Sequence, residues 1–520
     1  MLFKKPTIEE LERKWDAIII GGGITGAGIF QQLAAMGYQV LLIDQADFAF
    51  GTSSRSSKLV HGGLRYLANA QFHVTYESVR ERERLQKQFP HLVKPLRFVI
   101  PVYERYSHGV GTFRFGLSLY DIFGSKWQHG ALSTDIIREQ YSPIQKDGLH
   151  SLLYYYDAEV DDARLVLRVI QEGIALGGYA SNYCKALKLL KDPSGKIESI
   201  VVKDARSGKE SALQASAFIN ATGPWTDDLR SQMIDEKVIR KLRGSHILLP
   251  REKLSVNSAF TIFHPSDGRA LFVIPWQGTT MVGTTDLDHP EIFEIEKPEP
   301  FMTHEEMVYL LEATNALFPK AKINKSDIIS SFAGLRPIVT MGEMAPSKAS
   351  RTHKIFQEEN LFSIAGGKLT TYQRMARDLI KRIQPNLPSH PDRPTKTRRT
   401  LSKPVHMDEQ QFLHLQGIYG DILGQFLQDS QADELLPLAG TAVSPAELRW
   451  AARHEMVYSL SDLLLRRTRI GLTCKQGGSE HFSTVKDITK QELGWTDKEW
   501  EHQVNAYRKL WKQCYSIPTK

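Results

Sequence analysis

A glycine turn near the start of the chain limits its possible folds more than any other feature. Trp15 to Ile20 (WDAIII) is an apolar run with strand character, GGGITG follows at residues 21–26, and an apolar helical stretch continues to Leu33. Gln39 to Ile43 (QVLLI) is then a second buried strand. That order predicts one βαβ unit. Within its G-x-G-x-x-G, Gly21 allows the tight turn, Gly23 lets backbone approach a diphosphate, and Gly26 permits close helix packing. The helix start offers N–H groups and partial positive charge to the same anion. Asp44, closing the second strand, suits ribose hydroxyls. Dinucleotide binding is the expectation.

Two later segments favour FAD over a nicotinamide cofactor. ATG, ending in Thr222 and Gly223, follows an apolar strand, and AGGKLTTY at residues 365–372 is a second glycine turn that opens a helix over Leu369 to Arg382. An isoalloxazine ring needs bare backbone beside it and a helix N-terminus near its polar edge, where reduced flavin is negative. Gly366, Gly367, Lys368, Leu369 and Thr370 fit that description.

At 520 residues the chain exceeds one hydrophobic core, so two or three domains are expected. The fold class expected is α/β: a Rossmann-type FAD-binding domain, an antiparallel-sheet substrate domain and a C-terminal helical domain. The oxidoreductase body spans 1–385, with FAD-binding parts at about 14–80, 150–225 and 355–385 and the substrate domain at about 81–149 and 226–354. The alternating runs SHILLP, AFTIF, ALFVIPW and TMVGTTD belong to the latter. Proline and basic residues concentrate at 386–404, which is the expected linker, and 405–520 is helical in pattern.

A net charge of +7 over this length is too thin to indicate nucleic acid, and no nucleic-acid motif appears. Cys184, Cys474 and Cys514 match neither redox nor metal spacing, which implies reduced, buried thiols, no bound metal and a cytosolic setting. No apolar run approaches the length of a membrane-spanning helix, so membrane contact, if made, is peripheral. Leu448 to Leu472 has helical apolar spacing and ends in Arg466, Arg467 and Arg469; a cap on the flavoprotein body, with its arginines on the helix dipole, is expected ahead of a lipid-binding face.

Several dispersed motifs, GGGITGAG, SSKLVHGGLRYL (56–67), RGSHILLP (243–250), GTTD (283–286), AGLRPIV (333–339) and GGKLTTY (366–372), together resemble the aerobic glycerol-3-phosphate dehydrogenase family of flavoproteins, within the D-amino-acid-oxidase-like superfamily. The resemblance covers nearly the whole chain. It implies noncovalent FAD, oxidation of sn-glycerol 3-phosphate to dihydroxyacetone phosphate, and electron delivery to membrane quinone from the cytoplasmic face of the inner or plasma membrane. A homodimer is an admissible assembly. It also implies that Thr52, Ser53, Ser57, Lys58, Gly62, Gly63 and Leu64 form the flavin loop, and that Arg65 and Tyr66 line the substrate pocket.

Oxidising a secondary alcohol removes a hydride from carbon and a proton from oxygen, so the site needs a hydride acceptor, a base and a handle on the substrate. Holding the partners in place supplies roughly 7 to 11 kcal/mol of the barrier. Arginine forks match phosphate oxygens, and Arg336 in GLRP and Arg351 in SKASRTHK are the candidates. His61, beside Gly62 and Gly63, and His246, in GSHILLP, compete as base, with phosphate or hydroxyl binding open to His246 as well. Lys368 stabilises reduced flavin or neutralises substrate. Rival readings are a glycerol-3-phosphate oxidase that uses oxygen and releases peroxide, a related FAD amine or amino-acid oxidase, and a non-enzymatic flavin- or nucleotide-binding scaffold whose basic loops contact RNA.

Overall fold

The computed structural model describes residues 5–64, 67, 71–104, 110–133, 136, 143–340, 352–389 and 407–518. At its centre lies the strand Lys14–Ile20, which pairs in parallel with Val40–Ile43 on one side and Glu210–Asn220 on the other. Tyr179–Ser181 extends the sheet beyond Val40–Ile43, and Leu361–Gly366 pairs in parallel with Glu210–Asn220. These strands are apolar along their length because both sheet faces are covered. The helices Ile24–Ala35, Asp162–Ala175 and Tyr372–Ile383 pack one face, burying Phe30, Leu33, Val166, Ile170, Met375 and Leu379. The expected βαβ unit is present, with the glycine turn at the carboxyl ends of its strands.

Among the described residues the second sheet has ten strands and is antiparallel except where Ala259–Phe263 runs beside Val93–Tyr103. Its long pairings are Val93–Tyr103 with Leu149–Val160, and Ile239–Pro250 with both Thr279–Gly283 and Ser330–Val339. Two sequence boundaries move. Leu149–Val160, expected with the FAD-binding part, belongs to this sheet, and so does the short strand Leu59–Val60 inside the flavin loop. Both lie where the chain passes between the sheets, and local composition does not record which sheet claims a strand.

Residues 407–518 are helical, as expected, while 390–404 of the expected linker lie outside the described residues. The run 448–472 is a correction. It divides into a helix Pro445–His454, a wide π-helical turn at Asp462–Arg467 and a short helix Ile470–Thr473, with Met456 and Arg469 in left-handed conformation between them. Its apolar side chains Leu460, Leu463 and Leu464 are fully buried against the body, so they form a cap and no lipid face. Arg466 and Arg467 do fall in the last turn of the π-helical segment, and Arg467 donates to the Glu455 carbonyl at the C-cap of Pro445–His454 at 2.7 Å, but all three arginines also pair with distant acids. Arg466 and Arg467 reach across to Asp47 in the loop after Val40–Ile43, at 2.5 Å and 2.8 Å, and Arg469 reaches Asp161 at 2.9 Å and also Asp162. The end of the chain returns to the body as well: Tyr515 and Arg55 both bind Glu299, and Arg55 belongs to the flavin loop. Cys184, Cys474 and Cys514 are buried and unbridged.

Candidate active site

The glycine turn, the flavin loop, the ATG turn, the late glycine turn and one face of the second sheet line a single cavity of about 1440 Å³. At its dinucleotide end Gly21 has φ +111°, and a Cβ there would stand 2.5 Å from the Ala221 carbonyl oxygen. Gly26 does not line the cavity; a Cβ on it would strike the Gly21 carbonyl oxygen at 1.9 Å, so its role is helix packing, as its place in the motif predicts. Asp44 accepts the Gly22 and Ala46 N–H groups at 2.7 Å and 2.8 Å. Burial pushes its carboxyl up to about 6 against those two hydrogen bonds. Ser53 Oγ accepts the Ile24 N–H at 3.0 Å, tying the flavin loop to the helix start. Thr52 binds the Leu335 carbonyl, which ties the same loop to the second sheet.

Of the other sequence-derived candidates, Ser57, His61, Gly63, Leu64, Thr222, Gly223, His246, Arg336, Gly366, Gly367, Lys368, Leu369 and Thr370 also line the cavity. The Lys58 side chain does not. Its ammonium sits on Asp162, at 2.8 Å and 2.9 Å, and on the Ser54 carbonyl; burial lowers it to about 8 even so. Gly62 is also off the cavity: its N–H donates to Asp157, and Tyr120 Oη fills the space of a Cβ. Arg65, Tyr66 and Arg351 lie outside the described residues.

The end of the cavity bounded by the second sheet is built on cross-strand register. Leu242 faces Arg336, Gly244 faces Gly334, and His246 faces both Phe332 and Gly283. Directly opposed residues and those two apart share a face, so Arg336, the two glycines and His246 form one row. Each glycine makes room for a neighbour. A Cβ on Gly244 would be 2.2 Å from Arg336 Nη2, one on Gly283 would be 2.2 Å from His246 Cδ2, and one on Gly334 would be 2.4 Å from the Arg55 carbonyl oxygen. His246 lies mid-strand in Ile239–Pro250.

The His246 ring stacks on Phe332, and Nε2 meets Ser57 Oγ at 2.9 Å. Burial first, then the charges of Arg336 and Lys58, hold the imidazole well below its usual pKa, so it is neutral at pH 7. Arg336 donates to Asp286 at 2.7 Å, to Thr284 Oγ1 at 2.9 Å and to the Thr285 carbonyl. His61 exchanges backbone hydrogen bonds with Thr370 Oγ1, which joins the flavin loop to the late glycine turn, and Lys368 donates to Ser78 Oγ at 2.9 Å. Sequence reasoning missed Arg269 and Arg55, which also line the cavity. Neither carries a local signal beyond an arginine in a polar turn. The fold also brings Cys474, Glu480 and His481 within 4.8 Å of one another, a grouping hidden by their spacing; none of them lines the cavity.

Residues 16–369 match the family model described as FAD dependent oxidoreductase, and 363–500 match the C-terminal domain of alpha-glycerophosphate oxidase. The chain is 33% identical to the aerobic glycerol-3-phosphate dehydrogenase of Staphylococcus saprophyticus, over 94% of this chain and 93% of that one. This chain belongs to the aerobic glycerol-3-phosphate dehydrogenase family. Family membership is matched by a 33% identity to the Staphylococcus aureus USA300 enzyme, again over 94% of the chain. The glycerol-3-phosphate dehydrogenase of Bacillus halodurans, solved in complex with FAD, superposes with a TM-score of 0.76 at 27% identity, covering 97% of this chain and 96% of that one. The Mycoplasma pneumoniae L-alpha-glycerophosphate oxidase shares the fold, with a TM-score of 0.57 at 16% identity over 74% of this chain and 97% of that one.

FAD is the cofactor of this family, and the cavity suits it. The backbone at Gly21 and Gly366 is bare where a Cβ would collide, Asp44 lines the cavity beside the glycine turn, and a helix starts at Ile24. The lining then runs without a break to the late glycine turn, where Gly366 and Gly367 both take positive φ.

Proposed function

We propose that the protein oxidises sn-glycerol 3-phosphate to dihydroxyacetone phosphate and passes the electrons to a membrane quinone. The observation that carries this reading is the row of Arg336, facing glycines and His246 on one sheet face, opening into the cavity that holds the dinucleotide loops. Bound FAD supplies the hydride acceptor. Arg336 takes the phosphate, and the opposed Gly244 and Gly334 let its guanidinium and the Arg55 backbone pack closely at this end of the cavity. His246 is the base and accepts the hydroxyl proton at Nε2, the nitrogen now facing Ser57 Oγ. Burial and the Arg336 charge depress its basicity in the free protein. A phosphate dianion set against Arg336 offsets that charge, so substrate binding itself raises the basicity of the ring. Lys368 adds positive charge at the late glycine turn.

The membrane reading rests on two helices at the cavity opening. Phe115 both lines the cavity and is 67% exposed, so the opening lies at the helix Val110–Phe123. Ile122 and Trp127 are exposed close by in sequence, Phe72 and Tyr76 are exposed on Phe72–Gln88, and Arg114 and Lys126 stand among them. Exposed aromatics interleaved with cations suit an anionic lipid surface. No helix among the described residues is long and apolar enough to cross a membrane.

One experiment tests both parts. The FAD-loaded protein is floated with anionic vesicles containing quinone, and triose phosphate is assayed under nitrogen after glycerol 3-phosphate is added. Flotation with quinone-dependent product is expected. A protein that stays in the soluble layer and forms product only in air, with peroxide, would replace the quinone reading with the oxidase.

A further inference from the structure

The GTTD segment ends in Asp286, whose carboxylate is buried between two guanidinium groups. Oδ1 accepts from Arg336 Nη1 at 2.7 Å, and Oδ2 lies 2.8 Å from Arg269 Nη2. Arg336 and Arg269 are each about one-fifth exposed and line the same cavity. The hairpin fixes Arg269. His264 donates to its carbonyl and receives the Gly268 N–H, both at 2.9 Å, while the Arg269 N–H donates to Asp267 at 3.0 Å. From there the strand Ala270–Trp276 pairs with Thr279–Gly283, which leads the chain back to Asp286. Arg269 Nε is buried with no hydrogen-bond partner among the described residues.

Charge counting separates the roles. One carboxylate against Arg336 alone leaves no net charge for a phosphate, whereas one carboxylate between two arginines leaves a net positive charge beside the cavity. We propose that Arg269 is a second phosphate-binding residue and that Asp286 is a positioning residue, bridging Arg269 and Arg336 so that both forks are held toward the substrate's phosphate. The proposal rests on the glycerol 3-phosphate reading and specifies its anion subsite. An Asp286 carboxylate that cannot rotate without breaking both pairs preorganises the site.

The test uses the full FAD-loaded chain. Steady-state kinetics with a soluble quinone are combined with binding of inorganic phosphate, read as a perturbation of the flavin spectrum. For Arg269→Ala, KM for glycerol 3-phosphate and Kd for phosphate both rise by about tenfold or more, with a much smaller change in kcat. Arg269→Lys keeps the charge without the fork and recovers part of each loss. Asp286→Asn raises the same two constants, since it releases both arginines. Should Arg269→Ala fail to retain FAD, Arg269→Gln takes its place. Wild-type constants in the variant that retains FAD overturn the proposal and leave the substrate reading standing. If the wild-type chain does not oxidise glycerol 3-phosphate, yet phosphate perturbs its flavin and ceases to do so in Arg269→Ala, the substrate reading falls and the anion subsite stands.

Discussion

His246 owes its place to what its neighbours lack. Its ring lies over Gly283, two positions along from the opposed Gly244 and Gly334, so the sheet can carry an imidazole and a guanidinium side by side without clash. In the proposed mechanism the neutral ring accepts the hydroxyl proton, and its burial beside Arg336 keeps it a weak base until the substrate's anion offsets that charge. His246→Asn is therefore expected to lower kcat by about 10²- to 10⁴-fold, the usual range for a general base, with FAD content unchanged. His61→Asn should cost less. The reverse ranking, measured by stopped-flow reduction, would move the base to His61. The residues legible in the sequence here were those with short-range signatures: Gly21, Gly26 and Asp44 in a fingerprint, and Gly366 and Gly367 in a late turn before a helix. The sequence did not show that the Lys58 side chain turns away from the cavity, because its partner, Asp162, is 104 positions away. Arg269 was missed for a related reason, since its meaning depends on a carboxylate reached only after a hairpin closes.

Among the elements, the π-helical turn Asp462–Arg467 and the residue Arg469 after it join the C-terminal region to the loop after Val40–Ile43 and to the start of the helix Asp162–Ala175. Arg466 and Arg467 converge on Asp47, and Arg469 on Asp161 and Asp162, all buried. Helical spacing showed that this run was apolar on one side, but not that its arginines would be inside, because the acids that neutralise them come from distant loops. Burial alone would raise the Asp47 carboxyl, yet Arg467 and Arg466 outweigh it and hold it down at about 2, and Arg469 does the same for Asp161. Both lie below the unfolded value of about 3.9, so their contribution is complete above that pH and is lost as pH falls toward 2. Removing the shared acid leaves two buried guanidinium groups short of a partner. Asp47→Ala should reduce stability by about 3–5 kcal/mol in urea unfolding at pH 7, the range for breaking a buried ion pair, and by much less near pH 2. A loss below about 1 kcal/mol at pH 7, the worth of an exposed pair, would show that the cluster does not clamp the domains.

For the whole molecule, the chain passes repeatedly between two sheets, and the cavity lies where those crossings meet. The α/β body, the antiparallel second sheet and the helical C-terminal region were legible because hydrophobic period and turn chemistry are local. The exchange of Leu59–Val60 and Leu149–Val160 into the second sheet was not, because strand partnership depends on tertiary pairing. The same crossings bring Thr52 to Leu335, His61 to Thr370 and Arg55 to Glu299, so flavin loop, late turn and C-terminal tail share one scaffold. In the proposed function this scaffold presents a phosphorylated alcohol to FAD. Anaerobic titration of the yellow protein with glycerol 3-phosphate tests it most directly. Bleaching at about one equivalent per flavin, with none from glycerol at the same concentration, is the result expected; flavin that stays oxidised, or that glycerol bleaches equally well, would contradict it.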